Sequence, residues 1–258
     1  MEFVQPFLTD ALVAMVMFAC GWIGRVAYQW YQTVRPARRV WQLKDGDAVL
    51  IVTPNPSGYV GDEFSDTVFP TDYTAVAGLR HFLTRVYPKL DVSEYFAQEF
   101  PSAKIGEHVV LIGGEDINPL METVLKRLRP AKFPLEFDDD HIVDHEDGGR
   151  VYRPDILFDP STHRNEIIKD YALVTGVPNP FEPTKRMYIM AGCYVHGNMA
   201  AAQSMTEPAI RKVADRSGGE SKFAYLVRCQ VLRRYVGNIE IVRFYVYDET
   251  HQRWTLKE

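Results

Sequence analysis

Val109 to Leu128 reads VVLIGGEDINPLMETVLKRL, and its pattern decides the fold class. An apolar run enters Gly113-Gly114, a polar turn follows, and an amphipathic segment opens with Pro119 behind Asn118. That is strand, loop, helix. A continuous apolar run suits a strand buried on both faces, and two glycines at its carboxyl end let the backbone turn with nothing projecting into the crevice above the sheet. Asn118 is a good N-cap and Pro119 a good first helical residue, which points the free N–H groups of the helix at that crevice, where anions bind. Turns of this kind also occur where nothing binds, so a ligand loop and a plain turn both stay open.

On either side the plan recurs. Ala48 to Val52 is an apolar strand followed by the turn-rich Thr53 to Gly58, which includes Asn55. Val76, Leu79, Phe82, Leu83 and Val86 have helical spacing, and Leu90 to Ala97 is a second strand. Farther on, Tyr171 to Val177 is a strand ending in Pro178-Asn179-Pro180-Phe181. Met187 to Ala191 then runs through Gly192 and His196-Gly197-Asn198 into a small-residue helix from Met199 to Met205. Parallel pairing of such units gives an α/β, Rossmann-like, doubly wound, mostly parallel sheet. Phe223 to Leu232 and Ile239 to Tyr247 close it as antiparallel C-terminal strands, and Phe133 to Asp159, turning at Asp147-Gly148-Gly149, reads as a β-hairpin insertion.

The 258 residues carry a formal net charge of −5, with 46% hydrophobic and 24% charged side chains. This is ordinary globular usage, and the acidic balance argues against a nucleic-acid partner, which needs a basic face. Cys20, Cys193 and Cys229 lie far apart with no ligand spacing, so neither a disulfide framework nor a zinc site is implied. The acidic and imidazole groups of Asp138 to His141 and Asp144 to Asp147 invite a metal, but adjacent acids more often form a solvated turn. No metal site is assigned and no cofactor is required.

Phe7 to Gly24 is apolar apart from Thr9 and Asp10, and aromatic Tyr28, Trp30 and Tyr31 follow it. Spanning hydrocarbon takes ~20 apolar residues, so one N-terminal transmembrane helix is expected. No lysine or arginine precedes the stretch, and Arg25, Arg35, Arg38 and Arg39 follow, which places the body of the chain in the cytoplasm. The expected organisation is an anchor and juxtamembrane helix over 1–33, a linker over 34–47 and a Rossmann-like domain over 48–258, single-pass in the inner (cytoplasmic) membrane. Cys20 and Gly24, small residues four apart, are compatible with a homo-oligomer through the helix.

With a parallel sheet, Asn55, Gly113, Gly114, Asn118, Asn179, Gly192, Gly197 and Asn198 gather at one rim, where open α/β folds bind ligands. Amide side chains, bare backbone and helix amino termini suit a phosphate or a sugar ring. His196 is the histidine of these loops, able to act as general acid or base or as a plain hydrogen-bond donor.

The strings GG-x-x-x-N, then DY-A-L-V with PNPF, then AG-x-x-x-HGN-x-AA resemble a family of uncharacterised bacterial membrane-anchored proteins with a Rossmann-like domain. That family is distantly similar to the SLOG, TIR and nucleoside deoxyribosyltransferase group. The resemblance implies a membrane-tethered cytoplasmic sensor or effector that recognises a nucleotide-like ligand, in the setting of bacterial defence. One alternative is an N-glycosidase or nucleotide hydrolase using His196; another is a membrane-anchored interaction scaffold without a ligand.

Overall fold

The computed structural model describes residues 4–54, 68–114, 117–128, 133–138, 140–160, 163–232 and 235–257, with side chains from residue 13 onward and, in the helix that opens at 68, from residue 73. A helix α1 (Val4–Gln29) passes through a π-helical turn (Trp30–Val34) into α2 (Arg35–Trp41), which stops at Gln42 in the left-handed region, φ 46°. The segment expected to be a linker from 34 to 47 thus opens as helix, and its Ala37, Val40 and Trp41 are core residues.

The sheet elements follow as β1 (Ala48–Thr53), α3 (Val68–Val86), β2 (Asp91–Phe96), β3 (His108–Ile112) and α4 (Pro119–Leu128). Four short strands come next: β4 (Leu135–Asp138), β5 (His141–Asp144), β6 (Arg150–Tyr152) and β7 (Asp155–Asp159). The chain then runs through β8 (Arg164–Pro178), β9 (Arg186–Gly192), α5 (Val195–Ser204), α6 (Ile210–Ser217), β10 (Phe223–Leu232), β11 (Tyr235–Asp248) and β12 (Arg253–Leu256).

Among the described residues the main sheet has nine strands in the order β12-β11-β10-β8-β9-β3-β1-β2, with β7 paired to β8. Only β2, β1, β3 and β9 run parallel to one another. The pairs β8–β9, β8–β10, β10–β11, β11–β12 and β7–β8 are antiparallel. The expectation of a Rossmann-like, mostly parallel, doubly wound sheet is therefore corrected to a mixed α/β sheet in which antiparallel pairing predominates. The decisive element is β8. Its residues Tyr171 to Val177 are buried, as a parallel core strand would be, but Ala172 lies opposite Gly192 and Pro178 opposite Arg186, so β8 and β9 form a hairpin. A parallel crossover needs a dozen or more residues, and the short stretch between Pro178 and Arg186 cannot supply one.

The insertion is also larger than a hairpin. β4, β5 and β6 make a separate three-stranded antiparallel sheet, with Gly148 and Gly149 at φ 66° and 79° in the β5–β6 turn, while β7 leaves it to join the main sheet. One face of the main sheet is covered by α2, α3, α5 and α6, whose Trp41, Leu79, Leu83, Ala201 and Val213 pack on Ile51, Val110, Tyr188 and Val227. Two hydrogen-bonding side chains fix the entering helix there: Trp41 Nε1 donates to Met205 O at 3.2 Å, and the Tyr188 hydroxyl donates to Trp41 O, with Val40 O also within 3.1 Å. The other face is covered by α4 and by the three-stranded sheet.

The transmembrane expectation is corrected as well. Among the described residues no helix is long and apolar enough to cross a membrane. A single-pass anchor in the inner membrane, with the cytoplasmic orientation built on it, is not supported.

Candidate functional site

The mixed topology divides the residues expected at one rim. Gly113, Gly114, Asn118, Gly192, His196, Gly197 and Asn198 stay at the carboxyl ends of β3 and β9. Asn179, at the end of the oppositely directed β8, is carried to the other end of the sheet. Asn55 lies outside the described residues.

At the β3–α4 turn, Asn118 is buried and works on the backbone. Its Oδ1 accepts from Leu120 N at 3.2 Å and Met121 N at 3.3 Å, and its Nδ2 donates to Ile112 O at 3.1 Å. The amino terminus of α4 is therefore satisfied by its own cap, which leaves those donors no anion to seek. Gly113 has φ +95°, and a Cβ there would meet Pro54 Cγ at 2.6 Å, so glycine is needed for the turn itself.

The β9–α5 turn is closed in the same sense. Asp170 of β8 is fully buried and accepts from Tyr171 N at 2.8 Å, Tyr194 N at 3.3 Å and Gly197 N at 2.5 Å. A carboxylate of the chain itself occupies the position where an anionic ligand would meet the α5 amino terminus. Asn198 Oδ1 accepts from Gly192 N at 2.7 Å. A Cβ on Gly192 would lie 2.4 Å from Asn198 N and Tyr194 O, and one on Gly197 2.4 Å from Tyr171 O. Both glycines serve close packing of helix on strand. His196 is buried at the start of α5, where its carbonyl faces the Cys229 thiol at 3.8 Å. Burial pushes the Cys229 thiol up to about 12 and raises the half-buried Cys193 as well, so neither is a thiolate.

At the far end, Asn179 Nδ2 donates to Ile105 O and Glu107 O, both at 2.7 Å, and its Oδ1 accepts from Phe181 N at 2.9 Å, which locks the β8–β9 hairpin. Beside it, His108 is buried. Its Nδ1 accepts from Arg186 N at 3.0 Å and its Nε2 stands 3.3 Å from Asp47. Burial lowers its pKa and outweighs the opposing pull of Asp47. The unfolded chain then binds the proton more readily than the folded one, so stability is full above ~6.5 and falls as the pH drops below it. Urea midpoints between pH 7.5 and 5.5 should fall in the wild type and fall less in His108→Gln; parallel slopes would show that His108 does not carry this dependence.

The cavity lies on the face opposite α5. A space of about 440 Å³ opens between α4, one face of β8 and β9, and the three-stranded sheet. Leu173, Thr175, Ile189 and Ala191 form its floor, Met121 and Leu125 of α4 one wall, and Phe133, Leu135 and Phe137 the other. Among the described residues expected at the rim, Gly114 borders it. Glu136, His145 and Glu146 supply its polar edge, with His145 Nε2 2.9 Å from Glu136 Oε2. Aromatic and aliphatic walls with a few convergent polar groups are the common makeup of a small-molecule site. Sequence reasoning missed every wall residue in the insertion, because nothing local says that β4 to β6 fold back over the sheet. The apolar members of the alternating Leu135 to Phe137 run, unpaired with any helix, were the available sign.

The three-stranded sheet is held down by a buried carboxylate. Asp144 is fully buried; its two carboxylate oxygens share the single Tyr245 hydroxyl proton, at 2.8 and 2.7 Å, and it also accepts from Glu146 N and Asp147 N at 3.2 Å each. Arg243 of β11 reaches Asp147 at 2.6 Å and holds that carboxyl below the usual range. These bonds tie the β5–β6 turn to the main sheet and so fix the roof of the cavity over its floor.

No protein-family model matches the chain, and no curated protein does. With no transmembrane helix among the described residues and both helix amino termini capped from within, the expectations of nucleotide binding and of antiviral defence are corrected: nothing in the structure or the comparisons supports them.

Proposed function

We propose that this chain is a ligand-binding domain of the sensor kind, which takes a small and largely apolar molecule into the cavity between α4 and the three-stranded sheet. The observation that carries the reading is the cavity itself: about 440 Å³ of space over buried Leu173, Thr175, Ile189 and Ala191, within the size of sites that enclose a drug-sized ligand. Its roof is a separate sheet tied to the body at Asp144, so a bound molecule would bridge two parts of the fold and bias how firmly they are joined. Proton transfer by His196 has no place in this cavity, since His196 lies with α5 on the other face of the sheet.

The test uses the neutral naphthalene dye prodan, whose emission rises in apolar surroundings. Burying roughly 200 Å² of aromatic surface contributes about 5 kcal/mol gross, which the cost of association reduces to an affinity in the micromolar to millimolar range. Wild type is expected to bind prodan in that range, and Leu125→Trp, which fills the cavity from a half-buried position on α4, should weaken it at least tenfold with an unchanged melting temperature. Equal binding by the two proteins would place the dye elsewhere and remove the cavity from consideration.

A further inference from the structure

We infer that α1 is an interface between two copies of this chain, paired antiparallel about Gly21. The cavity plays no part in it. Every described side chain of α1, from Val13 to Gln29, is exposed, so the body of the domain covers none of them. From Val13 to Tyr31 the helix and its π turn present eleven large apolar side chains to solvent. Five are aromatic, Phe18, Trp22, Tyr28, Trp30 and Tyr31, and they are 51–77% exposed. At ~200 Å² apiece these five leave on the order of 600 Å² in water, and the six aliphatic ones add a comparable area. That total is well beyond the largest apolar patch of a typical monomer, and it is of the size from which each partner of a stable complex contributes ~800 Å².

The occupant follows from the order of large and small residues. Ala14, Phe18, Gly21, Gly24 and Tyr28 are spaced 4, 3, 3 and 4 residues apart, which sets them on one helix face in a pattern symmetric about Gly21. In an antiparallel pair with its two-fold axis at Gly21, Phe18 meets Gly24 of the second copy and Tyr28 meets Ala14, large against small at each step. A Cβ on Gly21 or Gly24 would meet nothing within 4 Å, so the hollow over each is open to a side chain from outside. Arg25 falls opposite Met17, where its stem packs and its guanidinium stays in water. Parallel pairing forfeits all of this, since it sets Phe18 on Phe18, Tyr28 on Tyr28 and the charge of Arg25 beside its own copy.

Sedimentation equilibrium of the full chain is expected to find a dimer at micromolar concentration. Gly21→Glu places two like charges on the two-fold axis while touching nothing in the single chain, and should raise the dimer dissociation constant at least ~100-fold with an unchanged urea midpoint. Ile23→Glu, the same charge on the opposite face of α1, should leave dimerisation nearly unchanged. In a Cys20→Ala background, Ala14→Cys and Tyr28→Cys should form a disulfide-linked dimer when mixed and oxidised, and neither should do so alone. A chain that stays monomeric at high micromolar concentration, equal effects of the two glutamates, or ready cross-linking of Ala14→Cys with itself would overturn the antiparallel pair. So would a monomer that floats with phosphatidylglycerol vesicles, which would give the face to a lipid surface.

Discussion

Gly197→Ala is expected to destabilise the domain by at least ~3 kcal/mol, enough to leave a large unfolded fraction at 37 °C. The added Cβ would stand 2.4 Å from Tyr171 O and 2.7 Å from Gly192 Cα, both backbone atoms. Neither strand can yield: β8 is hydrogen-bonded between β9 and β10, and β9 between β8 and β3. Relief would require α5 to lift from the sheet and expose Ala200, Ala201 and Ala202, which are buried beneath it. Gly78→Ala is the control, since a Cβ there meets nothing within 4 Å on an exposed face of α3, and helix propensity predicts a gain of about 1 kcal/mol. Urea unfolding of the three proteins side by side decides the matter. A Gly197→Ala protein as stable as wild type would mean that α5 does not seat on Tyr171 as described.

Asp170→Ala is expected to cost about 3–5 kcal/mol, because a buried carboxylate that accepts from three backbone N–H groups leaves all three without an acceptor when it is removed. Asp170→Asn keeps one oxygen and loses the charge that opposes the α5 dipole, so its loss should be smaller. Chemical denaturation with near-ultraviolet circular dichroism would follow both variants. If alanine costs less than ~1 kcal/mol, the carboxylate is not the cap of α5, and the amino terminus of that helix returns as a candidate anion site.

Much of the local architecture was legible. The run from Val109 to Ile112 is a strand buried on both faces, Asn118 and Pro119 open a helix, and Val76, Leu79, Phe82, Leu83 and Val86 are the inward face of another. Such features depend on neighbours in the chain, through side-chain periodicity and capping. The rim was misjudged at Asn179 because a buried apolar run has no direction: Tyr171 to Val177 would look alike as a parallel or an antiparallel strand, and reversing it moves its end across the sheet. The glycine turns were found, yet glycine admits a ligand or a neighbouring backbone by the same lack of a Cβ, and at Gly192 and Gly197 it is backbone that fills the space.

By itself the sequence determined the buried strands β1, β3, β8, β9 and β10, the helices α3, α4 and α5, and where their turns fall, but not that the stretch read as a linker opens as α2. It also determined which side chains are apolar enough to be covered. Only the tertiary structure decided what covers them. Asp170 lies on one strand and the N–H groups that it satisfies belong largely to the turn after another, while the cavity takes its floor from β8 and β9 and its roof from β4 to β6. Contacts between residues so far apart in the chain leave no periodic trace, because each follows from strand order and direction, which long-range packing selects among topologies that the local pattern satisfies equally.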